Sequence, residues 1–239
     1  MISCKCTTYG RVNFLEEALE SFLKQDYKGR KELVIINDYP LQILQFEHPE
    51  VRIINTNPFR SISEKENFAV DMCRGDIIAT WDDDDIAMSW HLTEIAENMK
   101  DNDLIRWENG VYYNEPNITS ITYIGNSGMV YTKKAWEKIG KFPLENAGYD
   151  STFTDKMKAE GFKLAKVRAS KPSWFYCWGG RGYHQSGKGY DKPGQPNIIE
   201  RHSMYIEQQR ALGKIPTGVI ELKPHWNKNY LKLLENYER

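Results

Sequence analysis

The hydrophobic positions in the first hundred residues follow two alternating patterns. Short apolar runs, typical of strands buried inside a sheet, are separated by segments in which apolar residues recur every three or four positions, as in helices. The strands predicted from the runs span residues 2–7, 33–36, 51–54 and 77–81. The helices predicted between and after them span residues 13–23, 63–73 and 88–99. This strand–helix order is typical of a parallel sheet covered by helices on its faces.

Two pairs of polar residues are placed to cap these helices. Asn13 and Glu16 precede and enter the first helical segment with the three-residue spacing of a capping box. Ser63 and Glu66 have the same spacing at the start of the second helix. We therefore expect both helices to begin at these residues.

The pattern changes after about residue 103. Short strands joined by Asn-, Gly- and Pro-containing turns are predicted at residues 104–107, 111–113, 121–124, 129–131, 162–167 and 173–178. Two helices are predicted at residues 133–139 and 151–160, and two more, at residues 198–212 and 230–237, complete the sequence. Residues 179–194 are rich in glycine and are predicted to form a loop with little intrinsic stiffness.

The strongest chemical feature is a run of four acidic residues, Asp82 to Asp85, directly after the predicted strand 77–81. Asp38 likewise follows the strand 33–36, and ligands of open α/β sheets bind outside the carboxyl ends of strands. Carboxylates ~4 Å apart repel by about 1 kcal/mol in water, and a divalent cation relieves this repulsion. Hard oxygen ligands suit Mg²⁺ or Mn²⁺.

The conformation of the acidic run decides which carboxylates act together. If the segment is extended, Asp82 and Asp84 share one face and Asp83 and Asp85 share the other. The alternative is a solvated acidic turn in which Asp85 caps a following helix.

Composition excludes several classes. The 239 residues include 32 Lys and Arg against 33 Asp and Glu, a net charge of −1 that argues against binding to a nucleic-acid backbone. An apolar content of 40% excludes intrinsic disorder. No apolar run reaches the ~20 residues of a membrane span, and no signal peptide is visible, so we expect a cytoplasmic, reduced protein without a transmembrane segment. A peripheral contact with a membrane remains open.

Several segments together resemble the inverting, family 2-type glycosyltransferases, which have a GT-A fold. They are, in chain order, Thr8-Tyr9-Gly10-Arg11, Leu19 with Ser21 and Gln25, Asn37-Asp38, Lys65-Glu66-Asn67, Gly75-Asp76, Asp82-Asp83-Asp84-Asp85, Gly140-Lys141-Phe142, and Asp150 eleven residues before Gly161. No single motif is decisive, but their order and spacing are specific. The resemblance implies an α/β, Rossmann-like fold with a mostly parallel central sheet, a smaller mixed sheet on the acceptor side and C-terminal helices.

The resemblance also implies where a nucleotide-sugar donor binds. Thr8, Tyr9 and Asp38 are expected at the nucleotide base, with Arg11 and Lys65 as further donor contacts. Arg60 is an alternative to Lys65.

The acidic run is expected at the sugar and phosphate end of the donor. Asp83 is expected at the ribose. Asp84 is expected to bind a divalent metal (Mn²⁺ or Mg²⁺) at the donor pyrophosphate, with Asp82 beside it. His184, within the glycine-rich segment, is expected as a further metal or pyrophosphate contact. A simple flexible connector is the alternative interpretation of that segment.

The resemblance implies that Asp150 is the general base that deprotonates an acceptor hydroxyl. A helix N-cap is the alternative role for Asp150, and Asp155 is the runner-up base, although we expect it on the helix interior. Trp107, Trp174 and Trp178 are candidates for stacking on sugar rings, with burial in the core as the alternative.

Three positions depart from the family pattern. Gly10 stands where an Asn is usual, Asn37 replaces the first acid of an Asp-Asp pair, and Glu66 replaces an Arg. These departures concern the contacts to the donor's base and phosphates.

The sequence therefore predicts a metal-dependent glycosyltransferase that moves a sugar from a nucleoside diphosphate, most simply UDP, to a glycan or other hydroxyl acceptor. Residues 1–105 are expected to form the nucleotide-sugar-binding half, residues 106–195 the acceptor-binding half and residues 196–239 a helical extension. Two rivals remain: a sugar-1-phosphate nucleotidyltransferase, which normally has a glycine-rich phosphate loop after its first strand, and a non-catalytic domain that binds a cation or a glycan.

Overall fold

The computed structural model describes residues 1–108, 110–114, 117–121, 128–145, 148–168, 171–177, 194 and 196–237. Its strands are β1 Ile2–Thr8, β2 Lys31–Asn37, β3 Gln42–Gln45, β4 Val51–Asn55, β5 Ile77–Thr80, β6 Ile86–Ala87, β7 Leu104–Trp107, β8 Gly110–Asn114, β9 Asn117–Ile121, β10 Val130–Thr132, β11 Leu164–Val167, β12 Trp174–Cys177 and β13 Gly218–Glu221. Its helices are α1 Val12–Leu23, α2 Ile62–Met72, α3 His91–Asn98, α4 Lys133–Lys138, α5 Tyr149–Ala159, α6 Ile198–Ala211 and α7 Tyr230–Tyr237.

A seven-stranded sheet in the order β11-β7-β10-β5-β1-β2-β4 forms the centre of the molecule. Strands β5, β1, β2 and β4 are parallel, and β10 is the antiparallel member between β5 and β7. Thr8 pairs with Asn37, so the carboxyl ends of β1 and β2 lie at the same edge. The mostly parallel α/β sheet predicted from the sequence is confirmed.

Alternate residues of the central strands face opposite layers, as the two-residue period of a strand requires. One layer contains α1 and α3, and its buried residues include Cys4, Cys6, Leu15, Leu19, Phe22, Leu33, Ile35 and Leu92. The other layer contains α2, α4 and α5, and its buried residues include Val34, Ile36, Ala69, Val70, Ile78, Trp136 and Phe153. Because both faces are covered, β2 is apolar without alternation, which made its sequence signal strong.

A second sheet has the mixed order β6-β12-β8-β9 and packs against α7. This is the smaller mixed sheet expected from the sequence. A third, two-stranded sheet pairs β13 with β3 in parallel and was not predicted. Strand β3 has only two buried residues, Gln42 and Leu44, and four residues give too short a pattern to identify from sequence.

Both predicted helix caps are wrong. Helix α1 starts one residue earlier than expected, after Arg11, and no side chain caps it. Helix α2 is capped by Ser61, whose hydroxyl accepts a hydrogen bond from the backbone N–H of Glu64. Ser63 is instead buried inside the helix, where its hydroxyl accepts from the N–H of Glu145. The same three-residue spacing occurs twice within six residues here, so spacing alone could not select the cap.

Two other boundaries also differ. Ile86 and Ala87 form strand β6, and the helix predicted from residue 88 begins at His91, because the N–H of Met88 bonds to the carbonyl of Ser173 beside that strand. The strand predicted at 121–124 begins earlier, since β9 spans Asn117–Ile121 and pairs with β8, and residues 122–124 lie outside the described residues. Among the described residues, no helix is long and apolar enough to cross a membrane.

Candidate functional site

The acidic run forms a tight turn at the carboxyl edge of the sheet. The N–H of Asp85 approaches the carbonyl oxygen of Asp82 at 3.4 Å, which folds Asp83 and Asp84 into the turn. The segment is therefore a turn, and the alternating faces considered for an extended segment do not occur. The turn brings Asp83 and Asp84 together, and these two carboxylates contact the same cation.

That cation is the guanidinium of Arg11, which follows β1. Its Nε donates to Asp83 Oδ2 at 3.1 Å, its Nη2 pairs with Asp83 Oδ1, and its Nη1 donates to Asp84 Oδ2 at 2.8 Å. The bidentate pairing with Asp83 uses the fork geometry in which Arg binds carboxylates best. Sequence reasoning placed all three residues at the donor, and the structure brings them into one cluster.

The cluster is buried enough for its electrostatics to matter. Burial raises the pKa of Asp83 to about 6, with the nearby Asp84 adding to the rise and Arg11 opposing it. The three carboxylates of Asp83, Asp84 and Asp82 favour the charged form of Arg11 and outweigh the effect of its burial on its pKa. Arg11 therefore stays protonated and neutralises part of the negative charge of the turn.

Asp85 has a different role from its neighbours. Its carboxylate accepts hydrogen bonds from Trp174 Nε1 at 3.1 Å and from the N–H of Cys177 at 2.9 Å. It thus fastens the acidic turn to β12 of the second sheet. The alternative that Asp85 caps a helix is wrong, because β6 and not a helix follows it.

Asp38 follows β2 and pairs with Lys65 from the start of α2. Lys65 Nζ also donates to the carbonyl oxygen of Thr8 at 2.7 Å, and Asp38 Oδ2 accepts from the N–H of Phe59 at 3.2 Å. Lys65, expected as a further donor contact, therefore joins Thr8 and Asp38, two residues expected at the nucleotide base, at the ends of β1 and β2. Asn37, the departure beside Asp38, bonds through its amide to the carbonyl of Gln42 and to Asn55, which ties β2 to β3 and β4.

Helix α6 covers this part of the edge, which sequence reasoning did not foresee. The ring of Tyr9 lies 5.0 Å from that of Tyr39 and 5.6 Å from that of His202 on α6. Tyr39 in turn donates a hydrogen bond to Glu207 of α6 at 3.0 Å. Burial lowers the pKa of His202 well below its usual value, and the positive charges of Arg11 and Lys65 lower it further.

The packing of α6 explains why Gly10 replaces the usual Asn. Gly10 has φ +70°, a left-handed conformation that Asn tolerates, so φ alone does not require glycine. A Cβ at Gly10, however, would lie 2.8 Å from Cγ2 of Ile206. The close approach of the helix therefore selects glycine.

Asp150 lies in the first turn of α5. Gly148 is the N-cap residue, so the alternative in which Asp150 caps the helix is wrong. Asp150 Oδ2 lies 4.0 Å from Nη2 of Arg106, which also donates to Thr154 Oγ1 at 2.5 Å. Asp155 is 75% exposed in its side chain and pairs with Lys158, so the expectation that it lies on the helix interior is wrong.

Tyr149 lies near both Asp150 and the acidic turn. Burial raises the pKa of its hydroxyl well above the usual value, and the charges of Glu66, Asp150 and Asp82 raise it further. Asp82 and Asp150 therefore both lie close enough to act on one phenol. This places the carboxyl edge of the sheet beside the start of α5.

The remaining expectations concern three sets of residues. Trp107 and Trp174 are buried in a cluster with Trp81 and His91, so they do not stack on a sugar. His184 and Trp178 lie outside the described residues. Arg60 contributes its backbone N–H to Glu64, at the start of α2.

The donor set of the acidic turn fits a divalent metal that is shared with a ligand. Within the described residues, no group of three or more His, Cys, Asp or Glu side chains could hold a metal alone. Asp83 and Asp84 do offer hard oxygen atoms that already converge on one cation. Mg²⁺ is commonly held in this way, by one or two carboxylates together with substrate phosphates and water.

Two solved structures show which class of fold this architecture defines. S. aureus TarS 1–349 in complex with UDP-GlcNAc superposes with a TM-score of 0.65 at 15% identity, over 80% of this chain and 62% of that one. The mannosyltransferase PcManGT from Pyrobaculum calidifontis, in complex with GDP-Man and Mn²⁺, has a TM-score of 0.60 at 16% identity, over 90% of this chain and 65% of that one. The fold is therefore the GT-A fold of glycosyltransferases.

The sequence assigns the chain more closely. The family model of glycosyl transferase family 2 matches residues 6–205. The protein belongs to glycosyl transferase family 2, which confirms the resemblance found in its motifs. A search of curated proteins finds no significant match. The chain spans about six-tenths of the length of the TarS 1–349 and PcManGT chains.

Proposed function

We propose that this protein is a metal-dependent glycosyltransferase that moves a sugar from UDP to a hydroxyl acceptor with inversion at the transferred carbon. The observation that carries the proposal is the convergence of three charged groups at one sheet edge. Asp38 with Lys65, Arg11 with the acidic turn, and Asp150 at the start of α5 lie around the carboxyl ends of β1, β2 and β5. Ligands of open α/β sheets bind at that edge.

The donor's base is assigned to the Thr8, Tyr9, Asp38 and Lys65 group. A carboxylate such as Asp38 accepts the N–H that uracil presents, and Lys65 holds that carboxylate in place. Tyr9 and Tyr39 supply an aromatic wall between this group and α6. Residues 1–105 would thus form the donor half, to which α6 of the C-terminal extension adds one wall, and residues 106–195 the acceptor half.

The diphosphate is assigned to Arg11 and the acidic turn, with Asp83 at the ribose. Asp84, with Asp82 beside it and with the proposed contact from His184, would hold Mn²⁺ or Mg²⁺. Such an ion, when bound, stabilises the charge that develops on a departing diphosphate. Arg11 contributes a permanent positive charge on the same side.

Asp150 is assigned as the general base. A sugar hydroxyl is a weak nucleophile at neutral pH, so a carboxylate within about 3 Å must accept its proton as the new bond forms. Arg106, 4.0 Å from the Asp150 carboxylate, restrains its position. One base opposite the leaving group suffices for direct displacement, which inverts the configuration.

The donor is tested first, by thermal shift of the full chain with Mn²⁺ and either UDP or GDP. We expect stabilisation by UDP and a smaller shift with GDP. A larger shift with GDP would change the proposed base, and no shift with either nucleotide would contradict the donor site. In an assay with UDP-sugars, release of UDP supports sugar transfer, whereas release of pyrophosphate from UTP and a sugar phosphate would favour the nucleotidyltransferase instead.

The base is tested by Asp150→Asn. Removing a general base lowers the rate by about 10²–10⁴-fold, and we expect sugar transfer to fall by that factor while the Kd of UDP with Mn²⁺ stays within about threefold of the wild-type value. Asp155→Asn is the matched control, since it changes an exposed carboxylate of the same helix. Equal turnover in the wild type and Asp150→Asn would remove Asp150 from this role.

A further inference from the structure

We propose that Arg11 is a displaceable counter-ion, which holds Asp83 and Asp84 until metal and donor bind and then moves to the donor's diphosphate. The inference rests on the proposed function and concerns how the same site is loaded. It assigns to Arg11 a positioning role that couples metal binding to nucleotide binding.

The first step of the argument is charge. Arg11 brings one positive charge to a turn with three carboxylates close enough to affect it, those of Asp82, Asp83 and Asp84. Asp83 is 1% and Asp84 11% exposed in the side chain, so water can compensate their charges only weakly. The guanidinium therefore supplies the positive charge that this turn needs when no metal is bound.

The second step is exclusion. Nη1 of Arg11 donates to Asp84 Oδ2 at 2.8 Å, on the carboxylate that is proposed to bind the metal. A guanidinium and a divalent cation held on the same buried carboxylates repel each other strongly, because little solvent separates them. Metal binding at Asp84 thus requires Arg11 to leave that carboxylate.

The third step is mechanical. The backbone of Arg11 is fixed at the start of α1, where its carbonyl accepts from the N–H groups of Phe14 at 3.1 Å and Leu15 at 3.0 Å. The guanidinium lies at the end of a long side chain that is 16% exposed. The charged group can therefore move through side-chain rotation alone, without unfolding the helix.

The fourth step is the destination. A diphosphate offers oxygen pairs that match the planar fork of Arg, as carboxylates do. When metal and nucleotide bind together, Arg11 exchanges carboxylates for phosphates and keeps its charge paired. When metal binds alone, Arg11 loses its partners. The two ligands must then bind cooperatively, and by linkage each tightens the other by the same factor.

The test measures Mn²⁺ binding without nucleotide, by electron paramagnetic resonance of free Mn²⁺, in the wild type and in Arg11→Met. Because the competing cation is gone, we expect Arg11→Met to bind Mn²⁺ at least tenfold more tightly. In the presence of Mn²⁺ the same variant should bind UDP at least tenfold more weakly, since the guanidinium no longer reaches the diphosphate. A residue that only contacts the donor would weaken UDP binding and leave Mn²⁺ binding unchanged.

Arg30→Met is the matched control, because it removes one exposed positive charge at the opposite end of the sheet and should leave both affinities unchanged. If Arg11→Met does not fold, Arg11→Lys replaces it. A single ammonium does not reproduce the fork, so we expect Mn²⁺ to bind a few-fold more tightly than in the wild type. Unchanged or weaker Mn²⁺ binding in the folded variant would overturn the inference. Wild-type protein that binds neither UDP nor Mn²⁺ would instead contradict the proposed function.

Discussion

Two neighbouring residues of α2 form buried ion pairs that differ in their surroundings. Lys65 pairs with Asp38 at the carboxyl edge of the sheet, whereas Glu66 pairs with Lys5 in the middle of β1. The side chains of the first pair are 11% and 8% exposed, and those of the second are 1% and 4% exposed. The edge pair therefore keeps some exposure at the carboxyl edge, and the interior pair has almost none.

The contacts of the interior pair are all with the protein core. Thr7 Oγ1 donates to Glu66 at 2.9 Å, and Lys5 Nζ lies 5.9 Å from the centre of the Phe142 ring. Burial raises the pKa of Tyr131 and of Tyr149, and the charge of Glu66 raises both further. This pair therefore joins β1 and α2 to the buried aromatic residues that pack with α5. The pair supports the helix that bears Asp150, but it lies in the core and not at the sheet edge.

The largest expected effect on stability comes from breaking the interior pair. Glu66→Gln keeps the side-chain shape but leaves the Lys5 ammonium without a charge partner, and breaking a buried pair in this way costs about 3–5 kcal/mol. We expect the free energy of unfolding in urea to fall by that amount. The double variant Lys5→Met with Glu66→Gln should regain part of the loss, since no unpaired charge remains. If the free energy of unfolding falls by less than about 1 kcal/mol, which is the contribution of an exposed ion pair, this pair does not stabilise the protein as a buried pair should.

The contrast shows what a sequence can reveal about such pairs. Lys65 and Asp38 follow from the family motifs and from strand ends, which are features of local sequence. Glu66 stands out only as a departure from those motifs, because its partner Lys5 is 61 residues away. That partner can be recognised only from Lys5 itself, because a lysine within a buried strand needs a charge partner. The contact of Ile206 with Gly10 gives no such signal, since it depends on where α6 packs.

A third buried group extends the comparison, because it has no charge partner among the residues that the structure describes and is buried as a neutral group. His91 bonds through Nδ1 to Ser173 at 2.8 Å and is enclosed by Trp81, Trp107 and Trp174. Burial lowers its pKa from 6.5 to about 3. The unfolded chain therefore takes up a proton as the pH falls below about 6.5, and the folded chain does not until about 3, so stability decreases through this window.

The expected size follows from linkage. Between pH 7 and pH 5, His91 should remove about 2 kcal/mol from the free energy of unfolding. The control is His91→Asn, whose amide retains a donor for Ser173 but does not titrate. The free energy of unfolding should fall by about 2 kcal/mol more in the wild type than in the variant between pH 7 and pH 5. Comparing the two proteins cancels the contributions of the other histidines. Equal losses would mean that His91 is charged in the folded protein.

The smallest of these effects, and the most specific, concerns the edge pair. Lys65→Met removes the ammonium that holds Asp38 and the carbonyl of Thr8, so the groups proposed to bind the base lose their fixed positions. We expect the Kd of UDP with Mn²⁺ to rise about tenfold, or about 1.4 kcal/mol. Lys24→Met, which breaks an exposed pair with Glu20, is the matched control and should leave the Kd unchanged. If Lys65→Met binds UDP as the wild type does, the edge pair is structural like its neighbour, and the functional distinction between the two pairs is lost.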